Sequence, residues 1–191
     1  MSAPAAFLRV LAEKLRDAGV PWMLTGSAAS SYYGEPRATN DLDIVVDPTP
    51  AQVEAFTASL SGSFYVSREE VREALAARGM FNVIDPQSGW KADVIFVRDR
   101  EFDRIEFERR RAARLFGLDV YVISPEGSIL SRLEWARRGG SDRQLRDAAA
   151  VLAANRETLD LDYLHRQARE LRVDDLLGQL LDSSGFGGTP T

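Results

Sequence analysis

The chain contains no cysteine and a single histidine, His165, in 191 residues. Without cysteine there can be no disulfide, no thiolate nucleophile and no cysteine-bound zinc or iron–sulfur centre. One histidine argues against a histidine-rich metal site and against a Ser-His-Asp triad. Long apolar runs are also missing. No stretch approaches the length needed to span a bilayer, and the N-terminus lacks a basic segment followed by an apolar one. The expectation is a cytoplasmic protein with no membrane association.

A net excess of positive charge is absent as well. Twenty-four Lys and Arg stand against 29 Asp and Glu, for a formal net charge of −5. Such a molecule is not a general polyanion binder. The basic residues are nonetheless unevenly spread. Arg98 to Arg114 is dense in both signs and ends on Arg109, Arg110, Arg111 and Arg114, while Arg132, Arg137, Arg138, Arg143 and Arg146 form a second stretch. Each reads either as a solvated helix face crossed by ion pairs or as a rim that receives a polyphosphate or RNA.

What is present is ordinary for a globular domain: 45% hydrophobic and 28% charged residues. Apolar spacing predicts a helix over 4–18, a buried strand from Val20 to Thr25, and a short helix from Ser27 to about Tyr33. A strand is expected over Asp41 to Val46. Thr49-Pro50 opens a capped helix to Leu60, and a capping box at Ser67 to Glu70 opens another that stops near Gly79. Phe81 to Ile84 and Lys91 to Val97 read as a hairpin, and Asp119 to Ile123 as a further strand. Beyond Ser124 the pattern is helical: about 126–138, 141–154 and 160–171, with a shorter piece from Leu176 to Leu181. This divides the chain into a core over 1–124, a helical subdomain over 125–182 and a disordered tail over 183–191.

Three aspartates carry the chemistry. Asp41 and Asp43 are two residues apart in a strand and therefore project from one face, with Leu42 and Ile44 on the other. Asp93 lies in a second strand, Lys91 to Val97. Like charges side by side are costly unless something positive sits between them, and a divalent cation is the natural compensator. Lys91, on the face of Asp93, is an alternative ion-pair partner and could also touch a triphosphate. Upstream, Gly26-Ser27 ends an apolar run and opens a small-residue stretch. That is a strand, a glycine turn and a helix start whose free N–H groups suit a phosphate. Trp22, Trp90 and Trp135 read as core or interface anchors, and His165 as a surface or helix-packing residue.

The ordered set of Gly26-Ser27, Asp41, Asp43 and Asp93 resembles the nucleotidyltransferase superfamily with the DNA polymerase β-like fold. Arg37-x-Thr39-x-Asp41-x-Asp43 is similar to the branch that holds the AbiEii-type toxins and their bacterial relatives. The resemblance implies an α+β fold, with a mixed sheet flanked by helices and a C-terminal helical subdomain. It also implies metal-dependent transfer of a nucleoside monophosphate from an NTP to an acceptor, with tRNA or other RNA, a small molecule or a protein as the candidates. Asp41, Asp43 and Asp93 would be the catalytic and metal-binding residues, taking two Mg²⁺ or Mn²⁺ ions. Gly26 and Ser27 would hold the β- and γ-phosphates, with Arg37, Thr39 and Lys91 beside them. A second signature runs from Ser124-Pro125-Glu126 to Asp147 and places Arg132 where relatives carry lysine; arginine offers a bidentate fork for phosphate, or else a helix-surface charge. A toxin-like member would have a cognate antitoxin, whereas a non-catalytic member would keep the fold and bind a nucleotide or a protein partner.

Overall fold

A computed structural model describes residues 3–35 and 41–185. In order, its elements are α1 (Ala3–Asp17), β1 (Trp22–Thr25), α2 (Gly26–Tyr33), β2 (Asp41–Val46), α3 (Pro50–Leu60), α4 (Arg68–Ala77), β3 (Met80–Ile84) and β4 (Lys91–Phe96). They continue with α5 (Glu101–Glu108), β5 (Arg111–Leu115), β6 (Leu118–Val122), α6 (Pro125–Gly139), α7 (Asp142–Ala154), α8 (Leu161–Glu170) and α9 (Asp174–Ser183). The chain divides into two compact units, Met1–Ala28 with Ala38–Ile123, and Ala29–Arg37 with Ser124–Thr191.

The first unit is built on a six-stranded mixed sheet in the order β3-β4-β2-β1-β6-β5. β1 runs antiparallel to β2 and parallel to β6, and β2 runs parallel to β4. Hairpins β3–β4 and β5–β6 close the two edges. One face is apolar: Leu24, Leu42, Ile44, Val83, Ala92, Val94 and Val122 are all buried. The same unit buries Phe7, Leu8, Leu11 and Leu15 of α1 and Val53, Phe56 and Leu60 of α3, two helices that pack on each other. This core sets the register. A one-residue slip of β2 would expose Leu42, Ile44 and Val46 and turn Asp41 and Asp43 inward, at a cost of about 5 kcal/mol in lost burial alone.

Helix starts follow the caps in the sequence. Thr49 and Gln52 form a reciprocal capping box with Pro50 just inside α3. At α4, Ser67 accepts from the Glu70 N–H, the side-chain half of the expected box. The helix ends at Arg78, which takes the left-handed conformation, one residue before the glycine expected to stop it. A strand over Arg111–Leu115 is the main element absent from the sequence expectation.

In the second unit Ser124 caps α6, accepting from the Gly127 N–H at 2.9 Å. α6 packs on α7 and α8, and α8 on α9. The Glu126 carboxylate is fully buried and accepts the Asp160 N–H at 3.0 Å, tying α6 to the start of α8. Helix α9 is longer than expected, reaching Ser183; residues 186–191 of the expected tail lie outside the described residues. Trp135, expected as an anchor, is 58% exposed and lies beneath the Arg138 guanidinium. His165 is exposed, as expected. Among the described residues no helix is long and apolar enough to cross a membrane.

Candidate active site on the polar face of the sheet

Opposite the apolar face, the strand registers align a row of polar side chains. Thr25 of β1 is level with Asp43 of β2, Asp43 with Asp93 of β4, and Asp93 with Asn82 of β3. One step along, Asp41 is level with Lys91. Because side chains alternate along a strand, all six lie on one face. Asp41, Asp43, Asp93 and Lys91 are thus brought together by pairing across β2 and β4, parallel strands that lie far apart in the sequence.

Hydrogen bonds order one end of the row. The Asn82 amide donates to Asp93 Oδ1 at 2.7 Å. The Lys91 ammonium stands 3.0 Å from the same oxygen and 4.0 Å from Asp41 Oδ1. Amide and ammonium thus share Asp93 Oδ1. The hydrogen bond to Asp93 and the charges of Asp93, Asp41 and Asp43 hold the Lys91 pKa above its ordinary value, against the opposing pull of burial.

Gly26 closes the other end. It adopts φ +59°, a conformation that glycine takes at little cost, and it opens α2. A Cβ built there would lie 1.8 Å from Asp43 Oδ2. The Asp43 carboxylate therefore rests directly against the backbone of the strand-to-helix turn. An anion in that place is favoured by the positive end of the helix by about 0.3–1 kcal/mol. Ser27 follows on the first turn of α2.

Two residues of the row, Asn82 and Thr25, are not among the candidates read from the sequence. Asn82 has a readable signal, a lone polar residue in Met80-Phe81-Asn82-Val83-Ile84 that falls opposite Asp93 when the hairpin is counted outward from its turn. Arg37 and Thr39 lie outside the described residues. Arg132 belongs to the helical unit, where it is buried rather than on a helix surface. Its guanidinium donates to Ser30 Oγ at 3.0 Å and Gln144 Oε1 at 2.7 Å, and stands 3.9 Å from Asp147.

The donor set is all oxygen and mostly carboxylate, which suits a hard divalent cation such as Mg²⁺ or Mn²⁺ in kind. As the side chains stand, no group of three or more carboxylates or imidazoles among the described residues is arranged to hold an ion.

No family model and no curated protein matches the chain. Solved structures do. A nucleotidyltransferase-like protein from Paracoccidioides brasiliensis, described as antigenic, superimposes with a TM-score of 0.62 at 19% identity, over 94% of this chain and 87% of that one. The chain has a nucleotidyltransferase-like fold. Two further structures share it. The antibiotic-resistance factor ANT(2'')-Ia has a TM-score of 0.55 at 14% identity, with coverage of 91% and 97%. The lincosamide antibiotic adenylyltransferase LnuA, bound to lincomycin, has a TM-score of 0.51 at 11% identity, with coverage of 79% and 96%. At these identities the likeness is one of fold, and the α+β class with a mixed sheet is the one the sequence led us to expect.

Proposed function

We propose that the chain transfers a nucleoside monophosphate from a nucleoside triphosphate to an acceptor hydroxyl, using divalent magnesium or manganese at the carboxylate row. The observation that carries this reading is the in-register pair Asp43–Asp93 beside Asp41, with the Gly26 backbone pressed on Asp43, in a nucleotidyltransferase-like fold. Asp41, Asp43 and Asp93 would hold the metal, which when bound supplies charge neutralisation for the triphosphate and its leaving group.

The chain's own residues supply the rest. The N–H groups opening α2 and the Ser27 hydroxyl take the β- and γ-phosphates. The Asn82 amide holds Asp93 Oδ1, which leaves Oδ2 to take the acceptor proton. The acceptor oxygen then bonds to the α-phosphorus as the bond to the pyrophosphate breaks, and pyrophosphate leaves with its electron pair. A part for Arg132 in triphosphate binding would come at the expense of Ser30, Gln144 and Asp147.

A small hydroxylated molecule is the favoured acceptor. Three of the five arginines in the stretch that would serve RNA are engaged inside the helical unit: Arg137 pairs with Asp175, Arg138 with Glu134, and Arg132 is buried, while Arg143 and Arg146 are exposed. Two proteins of this fold are described as an antibiotic-resistance factor and an antibiotic adenylyltransferase, which supports the same class. The test is incubation with α-labelled NTPs and Mg²⁺ or Mn²⁺, against separate pools of hydroxylated small molecules, RNA and protein. Label is expected in the small-molecule pool, and is expected to vanish in Asp41→Asn/Asp43→Asn while the variant stays folded. No labelled product in any pool, with NTP affinity unchanged by EDTA, defeats the reading.

A further inference from the structure

Lys91 brings a positive charge into contact with the carboxylate row. It faces Asp41 directly across the β2–β4 register and sits two residues from Asp93 on the same face. Its ammonium touches Asp93 Oδ1 at 3.0 Å and approaches Asp41 Oδ1 at 4.0 Å, so one positive charge bridges two of the three acids. The side chain is 35% exposed, and it can swing outward without breaking the core. The oxygens it touches are those a metal ion would need.

We propose that Lys91 is a displaceable counter-cation: its ammonium holds the metal-free row together, leaves Asp93 and Asp41 when a divalent ion binds, and then pairs with the incoming triphosphate. This rests on the reading of the row as a metal site. A divalent ion alone binds weakly, because it must displace an ammonium that has no better partner. A triphosphate provides that partner, so ion and triphosphate strengthen one another's binding, and by linkage the coupling is reciprocal. A lysine that stayed in its ion pair would repel the ion by its charge but would bring no coupling between ion and triphosphate.

The test uses the full chain. Mn²⁺ binding is titrated by electron paramagnetic resonance in the wild type and in Lys91→Met, each with and without a non-hydrolysable NTP analogue. Removing a neighbouring unit charge is expected to tighten Mn²⁺ binding in the absence of the analogue by about tenfold. It is also expected to reduce the gain that the analogue brings and to weaken the analogue itself. Equal Mn²⁺ affinities in the two proteins, or weaker binding in Lys91→Met, overturn the role of Lys91 and leave the metal site standing. No Mn²⁺ binding by either protein, with or without analogue, overturns the metal site itself. Should Lys91→Met fail to fold, the wild type still decides. The ¹H–¹⁵N signal of the Lys91 ammonium is expected to shift on addition of Mg²⁺ and analogue, as its partner changes from carboxylate to phosphate. A signal that stays put overturns the proposal.

Discussion

At the scale of single residues, the site depends on a glycine as much as on acids. Gly26 is excluded from substitution twice over, by φ +59° and by the mere 1.8 Å that would separate an alanine methyl from Asp43 Oδ2. Gly26→Ala is therefore expected to lose about 1–2 kcal/mol to backbone strain, and to push Asp43 out of the row. A lowered melting temperature together with lost Mn²⁺ binding would match. Wild-type Mn²⁺ affinity in Gly26→Ala would show that Asp43 does not need the turn. The pairing of Asp41 with Asp43 can be read from two-residue alternation alone, but the neighbours of Asp93 cannot, because they depend on which strands pair and in what register. A separate residue offers a pH test. Ser88 donates to Asp85 Oδ2 at 2.5 Å and the Gln87 N–H to Oδ1 at 2.9 Å, and these bonds lower the Asp85 pKa below its ordinary value of 3.8. A carboxylate lowered on folding stabilises the hairpin above the unfolded pKa, and that contribution is lost as pH falls through the folded value. Ser88→Ala is expected to raise the Asp85 midpoint toward 3.8, read from its carboxyl ¹³C shift; an unmoved midpoint would remove the hydroxyl as cause.

At the scale of elements, capping and periodicity make most helices and strands legible. Thr49, Ser67 and Ser124 each mark a helix start where the structure has one. The β5 strand is hidden because Arg111-Ala112-Ala113-Arg114-Leu115 has neither β-branched residues nor clean alternation. Its exposed arginines suit an edge strand, where charge discourages pairing with another chain. Arg132 is illegible for a different reason. A helix-surface charge and a buried one look alike in sequence until the polar residues of α2 and α7 are known to face it. Since its guanidinium satisfies Ser30 and Gln144 and stands near Asp147, Arg132→Met would leave buried polar groups without that partner. The expected loss is about 3 kcal/mol, seen as an earlier urea midpoint. A midpoint matching the wild type would mean the arginine is replaceable, with water taking its place beside Ser30 and Gln144.

At the scale of the molecule, charge decides between acceptors. The chain carries −5 overall, with a pI of about 5.0, and its carboxylate row adds local negative potential where a polyanion would have to dock. An RNA-modifying enzyme offsets this with arginines that are unengaged, since each phosphate neutralised contributes to both affinity and salt dependence. Here Arg137 and Arg138 are each engaged by an acid on their own unit, and the exposed Arg143 and Arg146 would neutralise about two phosphates. In the first unit Arg114 stands 3.9 Å from Asp119, and the Arg110 guanidinium lies over the Phe107 and Tyr121 rings. Total tRNA is therefore expected to bind no tighter than the weak end of the nonspecific range, about 10⁻⁴ M at physiological salt, with little change in affinity between low and moderate salt. Fluorescence anisotropy with labelled tRNA measures both quantities. Binding well below micromolar Kd that falls steeply with salt would favour RNA as the acceptor, and the arginines of α6 would then have to exchange their present partners for phosphates. Flat, weak binding beside metal-dependent NTP binding leaves a small hydroxylated molecule as the substrate the charge distribution allows.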